Sequence, residues 1–204
     1  MKGNIENKAN LITKWLGVLF CIHIVSIINS AVNFLPFIPA AVTTWISRGI
    51  MVAMFICMFQ LVPVNDRYRK AAVYRGVMLA CTLITTILFR STLLMLTLLM
   101  LVSMVYSILA VYQEYSAHAE LVAEKDPKLS RSWRSLFKWG ILAAVLLSFG
   151  STVTAIVLAI LEQEMGAARI SGIVNGLLRV PQLMIDVVYL LYLRKMLDIF
   201  RRER

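Results

Sequence analysis

Between Thr13 and Leu193, turn-forming or charged joints divide the chain into six apolar runs, each close to the length at which an α-helix crosses a bilayer. A helix closes its backbone hydrogen bonds within itself, which makes it the default way for a single segment to enter hydrocarbon. The runs occupy residues 13–34, 41–63, 71–89, 92–112, 139–161 and 171–193. They predict an all-α polytopic integral membrane protein, a single domain over 1–204 with six transmembrane helices and both termini cytoplasmic. A chain of 204 residues that is 60% hydrophobic is too apolar for a water-soluble domain of this size.

The charge is distributed as this topology requires. The formal net charge is +10, yet the basic residues sit in short segments between the runs and not on one soluble module, so no nucleic-acid partner is expected. With both termini and the joints at 64–75 and 113–138 inside, all 21 Lys and Arg except Arg48, Arg90, Arg169 and Arg179 fall on the cytoplasmic side. A cytoplasmic (plasma) membrane location follows. The 3 cysteines lie inside apolar runs without CxxC spacing, and no structural disulfide is expected. The first run is longer than a signal-peptide core and lacks a small-residue cleavage pattern, so it is read as retained.

The joints differ in kind. Residues 33–41 hold two prolines and no charge, which suits a short outside turn. Residues 71–112 as one helix would reach roughly 63 Å, twice the hydrocarbon core, so a break is required near Arg90. The segment 113–138 reads as a cytoplasmic amphipathic connector, with Tyr115, His118, Leu121 and Val122 on one side and Glu114, Glu120, Glu124 and Lys125 on the other. Asp126 is placed to cap a new helix with Pro127 in its first position. Trp133, Phe137 and Trp139 beside Arg131, Arg134 and Lys138 resemble an interfacial anchor. His118 is expected to be exposed or packed.

The candidate site lies in the sixth run. Asn175, Arg179, Gln182, Asp186 and Tyr189 follow at steps of four, three, four and three, which sets them on one helical stripe. Ionisable residues within a span usually face a partner, a cavity or a solute path. Counted from the helix ends, Arg48 and Arg179 share the outer half, with Asp186 and His23 below them. Forked guanidinium groups there match a carboxylate or phosphate. The expected function is therefore transport or channel-like passage of a small, anionic solute, bound by Arg179, Asp186, Gln182, Asn175, Arg48 and His23. The alternative is a non-transporting membrane subunit or sensor that assembles through its polar faces and docks a cytosolic partner. The bilayer is one partner; six spans enclose little space, so a homo-oligomer or a partner membrane subunit is another.

Catalytic chemistry finds no footing in the sequence. No HExxH, GxSxG or Walker pattern is present, and Glu162 and Glu164, two apart, diverge on a helix. Met54 and Met58 with Cys57 have the ligand softness for Cu(I), but packing in an apolar helix accounts for the same residues, and no metal or cofactor is expected.

Overall fold

The protein is described here from a computed structural model, with backbone for residues 2–32, 39–87, 93–160 and 166–202 and side chains for 8–32, 39, 41–85, 95, 97–145 and 180–202. The described residues form six helices: α1 (Lys2–Val32), α2 (Ala40–Gln60), α3 (Asp66–Ile87), α4 (Leu93–Val122), α5 (Pro127–Ile160) and α6 (Gly166–Arg201). The helices pack chiefly on their chain neighbours, and α6 returns to α1, so the six close a ring in sequence order. Contacts such as Arg75 with Glu114, Tyr115 with Trp133 and His23 with Tyr189 show successive helices running antiparallel. The start of α1, the end of α6 and the turns 61–65 and 123–126 therefore share one end. It carries Arg67, Lys70, Lys128, Arg131, Arg194 and Arg202, and is called the basic end below.

Local chemistry sets the turns. Leu61 donates its N–H to the Cys57 carbonyl at 3.2 Å and Val64 to that of Leu61 at 3.0 Å, which winds α2 down before Pro63 can extend it. The Asn65 side chain then accepts from the Arg67 N–H at 2.8 Å and starts α3. At the next turn of this end, Asp126 Oδ1 accepts from the Leu129 N–H at 2.9 Å, and Pro127 opens α5. That is the cap expected from the sequence. The segment 113–138 is built from the last turns of α4 and the first of α5, joined by this short turn. α3 and α4 are separate antiparallel helices on either side of Arg90, which itself lies outside the described residues.

Three helices among the described residues are long and apolar enough to cross a membrane: Lys8–Val32, Ala41–Gln60 and Thr97–Val122. Their outward faces carry Ile28, Trp45, Phe59 and Met100 at 55–68% exposure, apolar surface that hydrocarbon accepts and water does not. The chain is thus a candidate multi-pass membrane protein. α1, α4, α5 and α6 have 31, 30, 34 and 36 residues, roughly 45 Å or more at 1.5 Å per residue, and outreach a hydrocarbon core of about 30 Å. The surplus is used at the basic end. Leu16, Leu61, Val122, Trp133, Leu193 and Met196 close a fully buried core there.

Candidate functional site

Where this core meets the middle of the ring, it turns polar. Glu114 on α4 is 1% exposed and forms a salt bridge and charge-assisted hydrogen bond with Arg75 Nη2 on α3. Arg75 also gives Nη1–H to the Met54 sulfur of α2 at 3.2 Å. The second carboxylate oxygen accepts the Tyr189 hydroxyl of α6 at 2.6 Å. Tyr189 lies 3.2 Å from His118 Nε2, and His118 Nδ1 lies 2.7 Å from the Tyr68 hydroxyl. With the Tyr189 proton committed to a carboxylate, the pattern that serves both neighbours has His118 Nε2–H donating to Tyr189 and Nδ1 accepting from Tyr68. Burial pushes the Tyr68 hydroxyl well above the ordinary phenol range, and the Glu114 charge pushes the same way, so Tyr68 remains a donor. Three helices, α3, α4 and α6, are joined by one chain that runs from Tyr68 through His118 and Tyr189 to Glu114, where Arg75 donates from the other side.

Aromatic rings seal it. Trp133 of α5 packs on His118 at 4.7 Å between centroids and edge-on against Tyr189 at 5.1 Å. From α1, His23 stacks on Tyr189 at 4.1 Å, with the planes 21° apart. The His23 Nδ1–H donates to the Leu19 carbonyl at 3.0 Å, because a carbonyl only accepts, and this leaves Nε2 as the ring's acceptor.

Above this floor opens a cavity of about 730 Å³. Its base is His23, Arg75 and Glu114; α4 and α5 give it largely apolar walls, with Gly140 and Ala144 keeping α5 thin. Gln182 and Asp186, one turn apart on α6, supply its polar side, and Gln182 Nε2 donates to Asp186 Oδ1 at 3.2 Å. Pro181 lies just before this pair inside α6, and having no N–H it leaves the carbonyl four residues earlier without its helical bond.

Of the residues singled out from the sequence, His23, Gln182 and Asp186 line this one cavity. Arg48 does not: its guanidinium lies 4.7 Å over the ring of Trp45, its neighbour one turn back on α2. Asn175 and Arg179 lie on α6, but their side chains are outside the described residues. Met54, Cys57 and Met58 are core residues, with Met54 facing Arg75. Among the described residues no cluster of three or more His, Cys, Asp or Glu forms a metal-holding group.

His118 takes the second of its two expected settings: it is packed, fully buried, and links two tyrosines. Two sequence expectations are corrected. Glu114, expected on the side of its helix opposite His118, stands one turn before His118 and shares its buried face. Trp133 is core, whereas Trp139 is 61% exposed. The signal for the missed pair was available. Arg75 and Glu114 lie four residues into the third run and just past the fourth, so antiparallel neighbours bring them level.

Comparison of the chain with family models, curated proteins and solved structures gives no match.

Proposed function

We propose that the six helices cross a cytoplasmic membrane six times, with the basic end inside, and that the ring binds and passes a small solute through the cavity between α4, α5 and α6. The cavity carries this reading. An apolar chamber with a few convergent polar groups is the usual form of a small-molecule site, and this one is lined in part by two of the three helices suited to hydrocarbon, α1 and α4. The clustering of basic residues at one end supports the orientation.

The described lining favours a solute different in charge from the anion expected from sequence. It contains two carboxylates, Glu114 and Asp186, against the single guanidinium of Arg75, which Glu114 already engages. Arg48 is not part of that lining. We assign the solute an apolar body and a cationic or hydrogen-bond-donating head that meets Asp186 and Gln182.

The test is a thermal-shift screen of the detergent-solubilised protein against primary and quaternary amines, carboxylates and phosphates, with Asp186→Asn alongside. A compound present at 100 times its Kd stabilises by about 2.7 kcal/mol. Stabilisation by an amine that is lost in Asp186→Asn is expected. Stabilisation by anions alone returns the assignment to Arg179. Failure of every compound, in a folded protein, rejects the solute site in favour of a membrane subunit assembling through its polar faces.

A further inference from the structure

On the outside of the ring, α5 and α6 meet along a second groove, of about 450 Å³. Its upper part is apolar, with Trp139 and Leu142 from α5 facing Pro181 and Met184 from α6. Its end toward the basic side is bounded by the hydroxyl-bearing Ser132, Ser135 and Tyr192. From Ser132 to Leu142, ten helical steps span roughly 15 Å, half of a hydrocarbon core and so the depth of one leaflet. Lys128 lies four residues before Ser132, and Lys195 three after Tyr192, so each continues its wall of the groove by one further turn. Both are exposed. The groove thus has one leaflet's length of apolar surface, hydroxyls where that surface ends, and a cation on each side beyond.

We propose that this groove holds an anionic phospholipid of the inner leaflet, with one acyl chain laid between Trp139 and Met184 and the phosphate between Lys128 and Lys195. The charges choose the headgroup. A neutral zwitterionic lipid gains the same acyl contacts but offers the two lysines no net charge, and each lysine near an anionic surface contributes about fivefold in binding. Together they set a preference of up to roughly thirtyfold. The site rests on the membrane reading of the helices and is independent of the cavity on the inner side of α5 and α6.

Native mass spectrometry of protein released from nanodiscs containing equal phosphatidylcholine and phosphatidylglycerol tests it. Wild type is expected to retain one phosphatidylglycerol in clear preference. Lys128→Gln/Lys195→Gln is expected to lose the preference while keeping the thermal midpoint. Arg69→Gln/Arg134→Gln removes two exposed cations, one from α3, which does not line the groove, and one from α5 off this stripe, and is expected to keep it. Equal retention of both lipids by wild type overturns the proposal. So does a preference that survives in the lysine variant, or one that the arginine variant loses. Recovery of the protein as a soluble species without detergent contradicts the membrane reading itself.

Discussion

The Arg75–Glu114 pair gives the sharpest energetic prediction. The Glu114 side chain is 1% exposed and that of Arg75 13%, so neither charge has water to fall back on. Replacing Arg75 by Met removes the cation and leaves a buried carboxylate whose remaining bond is from the Tyr189 hydroxyl. Breaking a buried ion pair from one side costs about 3–5 kcal/mol. For a chain of this length, each kcal/mol lowers the thermal midpoint by about 2–4 °C, so Arg75→Met is expected to melt roughly 6–20 °C below wild type. The double variant Arg75→Met/Glu114→Gln behaves differently. It removes both charges, and the Gln carbonyl still accepts from Tyr189, so it is expected to recover at least half of the Arg75→Met loss, about 2 kcal/mol. The assay is thermal unfolding of the four proteins of the cycle in one detergent at one scan rate, since midpoints of this kind depend on rate. A single variant within about 2 °C of wild type, or a double variant showing the full sum of the two losses, refutes the buried-pair account.

Other consequences follow from the same geometry. His118→Leu takes the acceptor from the buried Tyr68 hydroxyl and is expected to cost about 1–3 kcal/mol, part of which Tyr68→Phe restores in the same chain; thermal unfolding reads both. Asp126→Ala removes the cap of α5 and is expected to cost about 1 kcal/mol, with loss of amide protection confined to the first turn after Pro127 on hydrogen exchange. Glu124 lies exposed in the turn at the basic end, so Glu124→Cys, with Cys21, Cys57 and Cys81 replaced by Ala, is expected to react with a membrane-impermeant maleimide only from the cytoplasmic side. Labelling from outside intact cells reverses the proposed orientation.

How far the sequence reaches is seen in particular residues. Apolar length located all six helices, because closing backbone bonds in a long apolar segment leaves no other regular structure for it. Asp126 and Pro127 announced the start of α5, because a cap acts within one turn and its chemistry is local. The stripe on α6 was legible down to Gln182, Asp186 and Tyr189, because helical periodicity alone places them. Glu114 was misread for the opposite reason. Its burial depends on Arg75 and Tyr189, which arrive from two other helices, and no pattern within α4 records that neighbourhood. Arg48 was grouped with the α6 residues by depth, but depth does not fix azimuth, and its guanidinium stacks on its own helix's Trp45.

In the proposed function, a polar-floored cavity is open to a solute whose charge complements Asp186. Reaction of Ser107→Cys, on the cavity wall, with small thiosulfonates of opposite charge, in a chain whose native cysteines are Ala, tests that opening and its charge together. Modification by the cationic reagent is expected well ahead of the anionic one, with a difference that shrinks in Asp186→Asn, and with protection by whichever amine stabilises the wild type. No modification by either reagent in a folded protein, or faster reaction with the anion, contradicts it.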